Sequence, residues 1–292
     1  MTAVLALLEF APGTGATTGF RLVDPAQPHL TVTDLAATRG DGIFETARVV
    51  DGRVQALEAH LERLAQSARM LELPAPTLPL WRDAINAVAV ALAAAGVADG
   101  SIKFVLTRGI EGGQVPTGWV LGLPSPDFTR ERAEGIRIVL LDRGYRHDVA
   151  HTSPWLLAGA KTLSYAVNRA VLREAARRGA DDALFVSSDG YLLEGAVSSL
   201  LLRVGSRLVT PRVDIGILAG TTQADVFNWA ELQGFTTGYE LLTPGDLATA
   251  DAAWLVSSVR HAAPVRAVDG VERPIDAELT ARINAALDGR ID

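Results

Sequence analysis

Leu157-Ala-Gly159-Ala-Lys161-Thr-Leu163 is the stretch on which the reading turns, because it holds one of only two lysines among 292 residues. The other is Lys103, and the remaining 25 of the 27 basic residues are arginine. Surface lysine exchanges for arginine at little cost, so a lysine that survives such a bias points to chemistry that arginine cannot do. Arginine stays protonated at any working pH, whereas a buried lysine amine can lose its proton and attack a carbonyl. Chance survival is the plain alternative, and composition alone divides evenly between the two.

Working outward from Lys161, a loop rich in polar residues, Gly and Pro covers Asp142 to Ala160, and a helix is predicted from about Thr162 to Arg178. Strands follow at Ala183–Ser187, Tyr191–Glu194 and Ser199–Val204, a helix at Thr221–Gln233, a strand at Ala252–Ser257 and a closing helix at Ala277–Leu287. Upstream, Gly42–Val50 runs into an Asp51-Gly52 turn, and Leu57, Leu61, Leu64, Ala68 and Leu71 line one face of a helix. Trp81–Ala95 reads as a second helix, with strands at Ile102–Thr107, Trp119–Leu123 and Ile136–Leu141. Pro124-Ser-Pro126 is the best linker. The expected organisation is an α+β protein with an N-terminal domain over 1–123, a linker over 124–130 and a C-terminal domain over 131–292.

Composition narrows the function. Hydrophobic residues make up 48% and charged residues 21%, the profile of a soluble globular chain. The net charge of −7, without a basic cluster, argues against nucleic acid or an anionic membrane as partner. No apolar run approaches the roughly 18–20 residues that span a bilayer. The opening MTAVLALLEF lacks a basic flank, so it is not read as a signal peptide, and the cytoplasm is the simplest location. With no cysteine there is no disulfide, zinc thiolate or thiol nucleophile. His147 and His151 are four apart in a loop without a third ligand at metal spacing, so no metal is expected. Gly13-Thr-Gly15-Ala-Thr-Thr-Gly19 has its third glycine one position late for a dinucleotide fingerprint and reads as a loop.

Three further features suit an anionic, nitrogen-containing cofactor. Arg63 lies on the polar side of its helix, either as a solvated arginine with helix-spaced Glu partners or as a fork for phosphate oxygens. Gly216-Ile-Leu-Ala-Gly220-Thr221-Thr222 opens a helix whose free N–H groups and dipole favour an anion, although a plain N-cap is the commoner use. Glu194 ends a strand beside a largely apolar run, where a carboxylate needs a cationic partner such as a protonated pyridine; a surface strand-end glutamate reads equally well.

In order and spacing these pieces resemble the fold-type IV (class IV) pyridoxal-phosphate enzymes, which include branched-chain and D-amino acid aminotransferases and aminodeoxychorismate lyases. The matching segments are Gly40-Asp-Gly-Ile-Phe-Glu-Thr-Ala-Arg48, His60-Leu-Glu-Arg63-Leu, Lys161, Leu193-Glu194-Gly195-Ala-Val-Ser-Ser, Gly216–Thr222 and Val256-Ser-Ser-Val-Arg-His-Ala-Ala-Pro-Val265. The resemblance implies a small N-terminal α/β sandwich, a C-terminal barrel-like domain, and a homodimer with its active site in the cleft between domains. It implies that Lys161 binds pyridoxal 5'-phosphate as a Schiff base and moves protons, while Glu194 pairs with the pyridine nitrogen. Arg63, Thr221, Thr222 and Ser258 would hold the phosphate, and Leu218 would pack on the ring. Lys103 matches no catalytic position.

Leu157–Leu163 looks like the L-A-G-x-K-x-L pattern of aminodeoxychorismate lyases, and Leu163-Ser-Tyr165 replaces the Gly-Gly-Asn of branched-chain aminotransferases. D-amino acid aminotransferases usually carry a basic pair where Gly109–Pro116 has no basic residue. The implied reaction is release of pyruvate from 4-amino-4-deoxychorismate, leaving 4-aminobenzoate for folate synthesis. Thr46, Arg108 and Tyr165 are the candidate substrate contacts, and Arg108 reads equally as structural. The alternatives are an aminotransferase for D-amino or branched-chain amino acids, or a degenerate binding protein of the same fold.

Overall fold

The structure, a computed structural model, describes residues 2–290. It divides into two compact units, one over 2–126 and 160–165, the other over 127–159 and 166–290. The segment 160–165, which carries Lys161, thus belongs to the first unit and not to the C-terminal range in which the sequence reading placed it.

The first unit contains strands β1 (Val4–Phe10), β2 (Thr17–Val23), β3 (Gly42–Val50), β4 (Arg53–Val54), β5 (Asp99–Thr107) and β6 (Thr117–Pro124), and helices α1 (Leu35–Thr38), α2 (Leu57–Met70) and α3 (Leu78–Ala94). The sheet order is β2-β1-β6-β5-β3-β4, with antiparallel neighbours throughout. Strand alternation sends Ile43, Glu45, Ala47 and Val49 towards the helices and Phe44 and Thr46 to the opposite face. Leu61, Leu64 and Ala68 of α2 and Trp81, Ile85, Val88 and Leu92 of α3 are fully buried, as are Ala6, Ile102, Phe104 and Val120 of the sheet. Trp81 keeps its indole satisfied by donating to Thr17 Oγ1 at 3.1 Å. Gly13 and Gly15 lie in the turn between β1 and β2, and Gly19 lies within β2, so this glycine run serves the β1–β2 hairpin.

The predicted loop over Asp142–Ala160 contains a short helix, Val149–Thr152, and the helix predicted from Thr162 begins later. Residues 162–165 are not helical. Phe44 N–H donates to Lys161 O (3.0 Å) and Leu163 N–H to Gly42 O (2.8 Å), which lays the segment along the start of β3. Backbone pairing with an available strand edge outcompetes a helical turn that would leave that edge unpaired. Gly42 permits it, because a Cβ there would come within 2.8 Å of both Leu106 O and Leu163 Cδ1.

The second unit contains α4 (Thr129–Glu134), β7 (Ile136–Asp142), α5 (Val149–Thr152), α6 (Ala166–Arg177), β8 (Asp182–Val186), β9 (Leu192–Gly195), β10 (Ser199–Val204), β11 (Arg207–Pro211), α7 (Thr221–Leu232), β12 (Thr236–Glu240), α8 (Pro244–Thr249), β13 (Ala252–Ser257), β14 (His261–Val268), β15 (Val271–Glu272) and α9 (Ala277–Asp288). Its sheet runs β12-β11-β10-β13-β14-β7-β8-β9, with β15 on β14. The sheet curls: Leu192 N–H, at one end of the order, donates to Leu242 O just beyond β12 at the other (2.7 Å). Leu184, Leu192, Leu200, Leu255, Ala263 and Val265 pack on one sheet face. On the other face Leu201, Trp254 and Val256 meet Val226 and Phe227 of α7 and Ile283 of α9. This is the mixed, two-sheet α+β architecture with a barrel-like second half that the resemblance implied.

Candidate active site

Lys161 is fixed by its backbone before its side chain does anything. Its carbonyl accepts from Phe44 N–H, and its own N–H donates to Ser67 Oγ of α2 at 3.2 Å. Its Nζ sits 4.7 Å from the centre of the Phe44 ring. Tyr165 meets the same ring edge-on, with centroids 5.2 Å apart. Lys103 Nζ lies 5.2 Å from it as well, so both lysines of the chain converge on Phe44. Lys103 stands opposite Thr46 across the β3–β5 ladder. Lys161, Tyr165 and Thr46 therefore gather around β3, together with Phe44 and Lys103, for which the sequence reading had no role. The scarcity of lysine was the available signal for Lys103.

Beneath that face lies a buried ionic cluster. Arg63 donates through Nε to Glu45 Oε1 (2.8 Å) and through Nη2 to Glu45 Oε2 (2.7 Å), and His60 Nδ1 is 2.8 Å from Oε2. Arg63 is thus not solvated: Glu45 of β3 holds its guanidinium, which also lies 3.4 Å from His60 Nδ1 of its own helix, and α2 buries His60, Arg63 and Ser67 beside its leucines. Burial pushes the Glu45 carboxyl up, but the Arg63 charge and fork and the His60 hydrogen bond outweigh it and hold it at about 2. Phosphate binding by Arg63 would have to use the guanidinium as this pair orients it.

Arg108 has other work. It grips Asp41 through Nε (2.6 Å) and Nη2 (3.3 Å) and donates to the carbonyls of Leu71 (2.7 Å) and Glu72 (3.3 Å). These bonds tie the end of α2 to the loop before β3, which is the structural role that the sequence offers for Arg108 beside substrate contact.

In the second unit Glu194 lies on β9, where a carboxylate oxygen accepts from Leu218 N–H at 3.3 Å. Leu218 belongs to the loop running from Gly216, in the left-handed region at φ +80°, to the start of α7. No side chain caps that helix, and Thr221 Oγ1 is buried without a hydrogen-bond partner among the described residues. Thr222 Oγ1 lies 3.3 Å from Ser258 Oγ, and Arg290 donates to Thr222 Oγ1 and Ser258 O at 3.4 Å and to Asp225 Oδ2 at 2.6 Å. Glu194, Leu218, Thr221, Thr222 and Ser258 thus share one region of this unit. Arg290 joins them unforeseen, since nothing in the sequence links it to residues about seventy positions earlier. An uncapped helix N-terminus, an orphaned hydroxyl and close-packed small residues fit the phosphate end of pyridoxal phosphate. A Cβ on Gly220 would meet Ser199 Oγ at 2.3 Å, so any side chain there would force Ser199 to shift.

Residues 42–268 match the family model described as Amino-transferase class IV. The chain is 44% identical over 261 residues to the bifunctional aminodeoxychorismate lyase / D-amino acid transaminase of Mycobacterium tuberculosis, covering 87% of this chain and 90% of that protein. A fold IV-transaminase from Curtobacterium pusillum superposes with a TM-score of 0.94 at 52% identity, covering 99% of this chain and 100% of that one. A hypothetical aminotransferase from Mycobacterium tuberculosis in its PLP-bound form gives a TM-score of 0.91 at 42% identity, with coverage of 98% and 99%.

Proposed function

We propose that this chain, which belongs to the class IV aminotransferases, is a pyridoxal 5'-phosphate enzyme that releases pyruvate from 4-amino-4-deoxychorismate to give 4-aminobenzoate. The observation that carries the lyase reading is the segment Leu157–Leu163, which follows the lyase pattern around the cofactor lysine. The loop 109–116 supports it: it has no basic residue for an amino-acid carboxylate, and the adjacent Arg108 is engaged by Asp41. D-amino acid transamination is the second reading, favoured by the 44% identical relative, whose name joins both activities.

Pyridoxal phosphate, when bound, supplies an electron sink conjugated to the substrate's amino group. Lys161 Nζ would hold the cofactor between turnovers, take the proton from the substrate ring carbon and give it to the oxygen of the departing enolpyruvate, which ketonises to pyruvate as a proton shifts from that oxygen to the methylene carbon. One ring carbon–oxygen bond breaks, the ring becomes aromatic and no further reactant is needed. Phe44 offers the amine an apolar floor that also attracts its protonated form. Glu194 would pair with the pyridine nitrogen. Thr221, Thr222 and Ser258, with the α7 N–H groups and Arg63, hold the phosphate. Thr46 and Tyr165 contact the substrate. The same reading assigns a homodimer, which sedimentation tests.

The deciding assay couples the purified protein to aminodeoxychorismate synthase and follows pyruvate and 4-aminobenzoate in equal amounts. A parallel assay offers D-alanine with 2-oxoglutarate. Turnover confined to the second assay overturns the lyase reading.

A further inference from the structure

We propose that Arg260 is a carboxylate-binding residue, its Nε/Nη2 edge taking a carboxylate of the amino substrate; this rests on the function proposed above. Arg260 is the last residue of the three-residue turn joining β13 to β14, closed by the Ser257–His261 pair. Ser258, which faces Thr222, belongs to the same turn. His261, which follows, is fully buried at φ +63°, a left-handed conformation that bulky side chains rarely adopt and that marks a tightly determined turn.

Arg260 exposes only 9% of its surface, and its Nη1 lies 2.8 Å from Oδ2 of Asp182, which is 1% exposed. Its Nε and Nη2 are buried and make no hydrogen bond to any described residue. Buried charged donors without acceptors are costly and therefore uncommon. These two atoms form the edge of the guanidinium that matches the two oxygens of a carboxylate. The protein itself shows the preference: Arg48 on Asp99, Arg63 on Glu45, Arg82 on Glu58 and Arg108 on Asp41 all grip with Nε and Nη2 together. Among the described residues Arg260 pairs with Asp182 alone, through Nη1 and not through that edge. Asp182 so steadies the guanidinium while leaving the fork to a second anion, and its own charge tempers the grip so that a carboxylate product can leave. Both readings of the activity involve carboxylates, and a phosphate already has the α7 amides, Thr221, Thr222 and Ser258.

The test compares four holoenzymes: wild type, Arg260→Gln, Asp182→Asn, and the double variant, which leaves no unpaired buried charge. 2-Oxoglutarate and 4-aminobenzoate are titrated calorimetrically, and pyridoxal phosphate affinity is measured separately. Arg260→Gln and the double variant should lose affinity for both carboxylates by roughly tenfold or more, with cofactor affinity unchanged within about twofold. Asp182→Asn should bind carboxylates at least as tightly as wild type. The proposal is overturned if wild type binds neither carboxylate or if the folded double variant binds them normally. It is equally overturned if Asp182→Asn weakens them, or if Arg260→Gln loses cofactor affinity, which would make phosphate the anion. A protein that binds carboxylates through Arg260 but releases no pyruvate would refute the lyase reading and leave the fork standing.

Discussion

Replacing Glu45 by glutamine keeps the shape of the side chain and removes the charge that Arg63 grips. Both partners are buried, and the pair is bidentate at 2.8 and 2.7 Å. Breaking one side of such a pair leaves an uncompensated buried cation, a loss of about 3–5 kcal/mol. Acidity provides an independent measure of the same interaction. The Glu45 carboxyl is lowered from its ordinary 4.5 to about 2. A depressed carboxylate contributes stability above its unfolded pKa and loses it as pH falls through the folded one. The wild type should therefore give up about 3 kcal/mol from this residue between pH 4.5 and 2. Glutamine has no such transition, so the gap between the two proteins should be widest at neutral pH and narrow steadily below pH 4.5. Chemical denaturation of the cofactor-free proteins at fixed concentration, repeated from pH 7 down to pH 3, measures both effects. A loss under about 1 kcal/mol at pH 7, or a gap that does not change with pH, would refute the ionic account of this cluster.

Two other substitutions probe each side of the second unit. Gly220→Ala pushes a methyl group into Ser199 Oγ, so pyridoxal phosphate affinity should fall several-fold while circular dichroism stays native, and Ser199→Ala should restore part of it; unchanged affinity in the single variant would remove the close approach from the argument. Thr280→Val leaves the buried Trp254 Nε1 without the acceptor that it meets at 2.7 Å, and denaturant titration should show a loss of about 1–3 kcal/mol. A neutral result would mean that the indole finds another partner.

Much of the fold was legible because its signals are local. The leucine spacing of α2, the Asp51-Gly52 turn and the apolar run of β7 each show within a few residues, and Lys161 is one of two lysines, set apart from Lys103 by the motifs around it. What stayed hidden depends on residues far apart in the chain. Arg63 looks like a surface residue from its helix, and only the register of β3 brings Glu45 beneath it. Residues 162–165 carry helical character, yet the edge of β3, more than a hundred positions earlier, claims them as extended backbone. β1, β2, β11, β12 and β14 are not predicted from the sequence: the alternation of β2 and β12 is broken by glycine and exposed residues, and β14 is apolar throughout Ala262 to Val265. Arg260 and Arg290 acquire meaning only when the turn after β13 and the end of the chain meet the start of α7 and β8.

Of the two lysines, Lys161 is the one proposed to carry the cofactor. Reducing the pyridoxal-phosphate-loaded protein with borohydride makes the link permanent, and peptide mass spectrometry then locates it. The pyridoxyl label should appear on the peptide containing Lys161, and not on that peptide in Lys161→Ala. A label on Lys103, or a visible cofactor band that survives Lys161→Ala, would contradict it.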